Sequence, residues 1–173
     1  MISRAVNVNE NTVRLISNKD SGGSFGIKQA ILPMIVLTCL ASRISGKNIN
    51  WVEDRIEHLT AASSATNRVT TIKAAVRRNG EILALDYDQI DDVGAYLRAP
   101  EPASLYRMHG NLSGDCLVKN ISCRNRVVLT NKTTTGLNRG FGGHQHDYAL
   151  ERLVHTIAVN LKLDRLAVIK LNL

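Results

Sequence analysis

The residues of this sequence best suited to chemistry sit in two short glycine loops, Gly22-Gly23-Ser24-Phe25-Gly26 and Arg139-Gly140-Phe141-Gly142-Gly143. Glycine lets a backbone turn sharply and lets it approach a ligand without the bulk of a Cβ. Unpaired N–H groups at a helix start attract anionic oxygens. Each loop also holds one phenylalanine between glycines, a ring that can lean over a flat ligand while the backbone bonds an oxygen. Neither loop has the GK[ST] of a Walker A motif. Neither has GxGxxG spacing followed about 20 residues later by an acidic partner, so a nucleotide-binding Rossmann domain is disfavoured. Taken singly, a glycine-rich turn before a helix is more often only a turn, and Phe25 and Phe141 read equally well as core residues.

The other candidates are weaker. His144 and His146 form an HxH beside the second loop, but no third ligand stands at metal spacing, so they read as first-turn helix residues. His155, four residues from Glu151, reads as one half of a surface pair with it. Glu53-Asp54-Arg55 reads as a solvated charged turn or local ion pair, and Trp51 as a packing residue. Cys39, Cys116 and Cys123 form no CxxC, which argues against a disulfide framework, a zinc site or an iron–sulfur cluster and suits a reducing cytoplasm. The net charge of +7 allows an anionic ligand or an acidic partner. The positive residues are scattered and carry no interleaved aromatics, so they read as solvated surface, with no specific nucleic-acid site. The start MISRAV lacks a signal-peptide core, and the run Ala30 to Ala41 is too short to span a membrane.

The elements that must position the loops follow from pattern. Asn11–Ser17 partly alternates and reads as a strand leading into the first loop. The run Ala30 to Ala41 is apolar on all sides and reads as a buried helix that starts near Pro33 and is capped by Gly46, with Cys39 in the core. Asn48–Trp51 is a short strand candidate. Arg68–Val76 and Glu81–Tyr87 flank Asn79-Gly80, the strongest hairpin signal in the chain. Residues 94–114 are irregular around Pro100 and Pro102, with a short helix after them. Ser122–Asn131 reads as a strand into the second loop. Tyr148–Leu161 is an amphipathic helix with Leu150, Leu153, Val154, Ile157, Ala158 and Leu161 on one face. A hairpin interrupts any βαβ alternation, so one α+β domain over residues 1–173 is expected, with a mixed sheet and two main helices.

Several segments, in one order, resemble the large subunit of molybdenum hydroxylases, the xanthine dehydrogenase and aldehyde oxidase family that includes carbon monoxide dehydrogenases. GGSFGIK is similar to the family's GGGFGGK loop, and TTTGLNRGFGGHQ to its second loop. NWVEDRIEH resembles KWxEDRxEH. GEILALDYDQIDDVGAY resembles GxILAxxxxxxxDxGAY, and ALERLVHTIAVNLKLDRLAVIKLNL resembles ALExLxDxxAxxLGxDPxExRxxNL. The resemblance runs over nearly the whole chain and implies a molybdopterin-binding middle segment of an oxidoreductase.

The family's cofactor is molybdenum on molybdopterin, often extended as a cytosine dinucleotide. Its chemistry hydroxylates aldehydes or N-heterocycles, and electrons leave through iron–sulfur (FeS) clusters and a flavin (FAD) on partner subunits. By position, Gly23, Ser24, Phe25 and Gly26 would face the cofactor from one side. Arg139, Gly140, Phe141 and Gly142 would face it from the other, with Phe141 also lining the substrate funnel. Gln29 falls where xanthine-oxidising members carry a substrate-binding glutamate, and a neutral Gln29 disfavours purines. Gly140 falls where carbon monoxide dehydrogenases carry their active-site cysteine. His144 replaces the usual proline. The resemblance places no catalytic residue and no direct metal ligand in this chain. It implies a complementary large-subunit fragment, an FeS subunit and a flavin subunit as partners, with self-association as another way to cover apolar surface, and an isolated chain without hydroxylase activity. The competing expectation is a non-catalytic remnant acting as a basic protein-interaction module.

Overall fold

The Asn79-Gly80 turn reverses the chain between β1 (Asn67–Val76) and β2 (Ile82–Asp92), with Gly80 at φ 94°, a left-handed value that favours glycine. The strands pair antiparallel from Asn67↔Asp92 to Val76↔Ile82. A third strand, β3 (Asn120–Val128), joins β2 in parallel, from Ala84↔Asn120 to Asp92↔Val128. The result is a mixed sheet of order β1-β2-β3. The computed structural model describes residues 1–26, 31–99 and 101–173; Gln29, Ala30 and Pro100, all named above, lie outside those described residues.

Among the described residues the sheet is accompanied by six α-helices: α1 (Ile2–Ala5), α2 (Leu32–Ser45), α3 (Arg55–Ala61), α4 (Ala103–Tyr106), α5 (Gly143–Leu161) and α6 (Arg165–Asn172). The core forms where the apolar stripe of α5 meets the inner face of the hairpin. Leu150, Val154, Ile157 and Ala158 pack with Ile82, Leu85, Tyr87 and with Val168 of α6. Each fully buried aliphatic side chain contributes about 1.5–3 kcal/mol. Asn172 ties α6 to the hairpin: its Oδ1 accepts from Ile82 N at 2.8 Å, and its Nδ2 donates to the carbonyls of Gly80 at 2.9 Å and Val168 at 2.8 Å.

Mixed sheet, hairpin, two main helices and the Pro33 and Gly46 boundaries agree with the sequence reading, and Gly46 is left-handed at φ 66°. Five expectations are corrected. Residues 11–17 and 48–51 are not strands: among the described residues they find no neighbouring strand to pair with, and Leu15 and Ile16 stand in solvent. α2 is not buried within this chain: none of its residues is buried, and Cys39 is exposed. Glu151 pairs not with His155 but with Arg165, at 2.5 Å. α5 begins five residues earlier than its apolar pattern, because the left-handed Gly142 at φ 81° turns the chain straight into the helix. α6 was hidden by its weak amphipathic pattern. It is started by Asp164, whose carboxylate accepts from Ala167 N at 2.9 Å.

The charged segment at 53–57 is a helix start. Asp54 accepts from Glu57 N at 2.8 Å, and the Glu57 carboxylate accepts from Asp54 N at 2.9 Å, a reciprocal capping box for α3.

Candidate functional site: two joined glycine loops

The two loops share one backbone device. Phe25 has φ 52° and is followed by Gly26 at φ 96°. Phe141 has φ 48° and lies between Gly140 at φ 98° and Gly142 at φ 81°. Positive φ costs a non-glycine residue roughly 1–2 kcal/mol, so each Phe is held in a strained position by its surroundings.

The loops also touch. The Arg139 N–H donates to the Phe25 carbonyl at 2.7 Å and to Asn138 Oδ1 at 2.9 Å. The Arg139 guanidinium lies 5.2 Å from the Phe25 ring centroid, and Arg107 lies 4.5 Å from that of Phe141. A Cβ on Gly26 would meet Leu137 Cδ2 at 2.8 Å and the Leu137 carbonyl oxygen at 3.0 Å. Glycine is therefore required there by close approach as well as by φ. Phe25 is 58% exposed, while a Cβ on Gly22 or Gly23 would meet nothing within 4 Å. The N–H groups of Gly140 and Gly142 donate to nothing among the described residues. Open glycines, unpaired amides and an exposed ring fit a flat ligand with anionic oxygens. The His144 ring closes over Gly140, 3.1 Å from where its Cβ would stand.

Beneath the second loop lies a layer that the sequence reading missed. Arg68, whose side chain is 1% exposed, pairs with Asp91, at 0%, through two hydrogen bonds of 3.1 Å. Its Nη2 also donates to the Ser104 carbonyl at 2.8 Å. Glu101 Oε2 accepts from Ser104 N at 3.2 Å and Ser104 Oγ at 2.7 Å. Gly142 rests on that same Ser104 carbonyl: a Cβ there would stand 2.1 Å from the oxygen. Gln145 donates to the Thr66 carbonyl at 3.3 Å. The signal for the ion pair was available, since hairpin register sets Arg68 directly opposite Asp91.

Two further groups frame the layer. His146 is buried, its ring 5.5 Å from that of Tyr87, and burial pushes its pKa below the ordinary value. Asp92 accepts hydrogen bonds from Thr130 at 2.6 Å and Gly94 N at 3.0 Å and pairs with Lys132 at 2.9 Å; Thr130 first, then Lys132, hold its carboxyl down at about 2.

Away from the loops, a cavity of about 570 Å³ opens between α2, α3 and residues 49–53, lined by Met34, Cys39, Trp51, His58 and Arg98 among others. His58 Nδ1 lies 3.0 Å from Glu53 Oε2. Trp51, 45% exposed, is a wall residue of this cavity.

A domain of strand–hairpin–helix build with two glycine loops joined edge to edge has known relatives. The entire chain, residues 1–173, matches the molybdopterin cofactor-binding domain family. It is 32% identical over 165 residues to the 6-hydroxypseudooxynicotine dehydrogenase complex subunit gamma of Paenarthrobacter nicotinovorans, covering 95% of this chain and 21% of that one. It is 30% identical over 171 residues to the carbon monoxide dehydrogenase large chain of Hydrogenophaga pseudoflava, again with 95% and 21% covered. Among solved structures, quinoline 2-oxidoreductase from Pseudomonas putida 86 superposes with TM-score 0.83 at 31% identity over 89% of this chain and 20% of that one. The carbon monoxide dehydrogenase of Oligotropha carboxidovorans superposes with TM-score 0.84 at 26% identity over 99% and 22%. The chain belongs to the molybdopterin cofactor-binding domain family, and it spans about a fifth of the length of these relatives.

Proposed function

We propose that this chain is the cofactor-binding part of a molybdenum-dependent hydroxylase acting on aldehydes or N-heterocycles. The observation that carries the reading is the hydrogen bond joining the loops, Arg139 N to Phe25 O at 2.7 Å, because it brings the two glycine loops together. The relatives named for 6-hydroxypseudooxynicotine and quinoline support an N-heterocycle or a related substrate. Gly23, Ser24, Phe25 and Gly26 would hold the cofactor from one side, and Arg139, Gly140, Phe141 and Gly142 from the other. Phe141 and Gln29 would also face substrate. The bound molybdenum would supply the oxygen-transfer and two-electron chemistry. What these residues do is bind its anionic oxygens through backbone amides, exclude water with the two rings and orient a flat substrate.

The cytosine dinucleotide form of the cofactor, FeS and FAD partner subunits and a complementary large-subunit portion complete the proposal. Exposed Leu37, Ile44, Ile56 and Leu59 on α2 and α3 offer the apolar surface such a portion would cover. The free thiols Cys39, Cys116 and Cys123 suit the cytoplasm, and no helix among the described residues is long and apolar enough to cross a membrane. The test is analysis of the protein purified from its own cell for molybdenum and for the fluorescent pterin released by acid and iodine. Both near one per chain are expected. Their absence from a folded, partnered protein overturns the reading and leaves a basic interaction module.

A further inference from the structure

We propose that the buried Arg68–Asp91 pair is the positioning element of the second glycine loop, setting where Gly142 stands by fixing the Ser104 carbonyl beneath it. Asp91, on β2, receives two hydrogen bonds from Arg68, on β1. The same guanidinium extends its Nη2 to the Ser104 carbonyl, 36 residues away in α4. Glu101 grips the other side of Ser104 through both its N–H and its hydroxyl. Ser104 is thus held from two sides, its carbonyl by Arg68 and its N–H and hydroxyl by Glu101. Gly142 packs so closely on it that even a methyl group would overlap the oxygen, at 2.1 Å.

Gly142 is where this contact passes upward. It is the residue that starts α5 and that borders Phe141. A displacement of the Ser104 carbonyl toward the loop must move Gly142, because the two are in close contact. A planar fork that serves a carboxylate and a carbonyl at once is a task for arginine, because lysine offers a single point charge. The Arg68 Nη1 reaches no acceptor among the described residues. That is an imperfect arrangement for a pair whose role is stability alone, because a buried charge that leaves a donor unsatisfied is poorly compensated. The inference rests on the proposed cofactor role of the loop only for its functional consequence; the geometry stands independently.

The test uses the full 173-residue chain, purified with its partners from its own cell, and two variants. The double variant R68M/D91L removes both charges together, which buried pairs commonly tolerate without unfolding. The single variant R68K keeps the charge but loses the fork. Two readouts are taken: amide hydrogen exchange by peptide, and pterin per chain. Exchange at residues 139–143 is expected to rise at least tenfold in both variants, while the β1–β2 hairpin and the Leu150–Ala158 part of α5 stay protected. Pterin content is expected to fall at least tenfold in the same proteins. Unchanged exchange at 139–143 in a folded variant overturns the proposal, as does loss of protection spread evenly over the hairpin and α5, which marks a merely structural pair. If R68M/D91L does not fold, R68K decides. A wild-type protein that is folded and partnered yet holds no pterin defeats the cofactor reading, while the exchange result still decides the positioning role.

Discussion

The two glycine loops have nearly the same backbone and very different foundations. The second stands on buried polar groups, Arg68, Asp91, Ser104 and Glu101, and runs directly into α5, whose inner face is the core of the domain. The first leads toward α2, none of whose residues is buried in this chain, and Phe25 is exposed. The two loops are tied by the Arg139–Phe25 hydrogen bond and by the Arg139 guanidinium over the Phe25 ring, and the Leu137 side chain packs where Gly26 leaves room. A matching loop conformation therefore does not imply matching rigidity. One loop is fixed by the fold, and the other is placed largely by contact with the first.

Substitutions in the two foundations sharpen the contrast most. Leu85→Ala, in the core beneath α5, is expected to destabilise by about 2–5 kcal/mol, whereas Leu37→Ala on exposed α2 is expected within about 0.5 kcal/mol of wild type. Urea midpoints at constant m-value measure both, and equal losses would break the comparison. Within the loops, Gly142→Val must overlap the Ser104 carbonyl and carries the φ penalty, so pterin retention is expected to fall at least tenfold with a lowered melting temperature. Gly23→Ala, with open space around its Cβ but φ 77°, is expected to cost only about 1–2 kcal/mol of backbone strain.

Acid titration gives the smaller effects. Burial lowers the pKa of His146 below its ordinary 6.5, so the fold favours the neutral ring. Its contribution is complete above that pH and is lost as pH falls below it. His146→Leu should flatten the dependence of the melting temperature on pH just below 6.5; an unchanged slope counts against a buried neutral ring. Asp92 is lowered from 3.8 to about 2, so its contribution is present above pH 3.8 and fades as pH drops toward 2. Asp92→Asn should remove that lower step and leave the His146 step intact.

Much of the fold was legible because it rests on local signals. Asn79-Gly80 marked the hairpin, Pro33 and Gly46 bounded α2, and the 3.6-residue spacing from Leu150 to Leu161 revealed α5. Failures occurred where the deciding partner is distant or absent. Asn11–Ser17 alternates like a strand but has no neighbour to pair with, and the apolar α2 is exposed because nothing among the described residues covers it. At the site, the loops were visible as glycine patterns, but their contact, Arg139 N to Phe25 O, joins residues 114 positions apart and leaves no local signal. Arg68 was counted among solvated charges, since its burial depends on Ser104, 36 residues onward. Gln29 lies outside the described residues, and its expected substrate role remains a proposal.

The central claim is that the two loops form one binding site. It is tested most directly by recording backbone amide resonances of the nitrogen-15-labelled chain while adding molybdopterin released from a donor molybdoenzyme. The account predicts that Phe25 and Gly26 shift together with Gly140, Phe141 and Gly142 along a single binding curve. Shifts confined to one loop, or two curves with different midpoints, would contradict it.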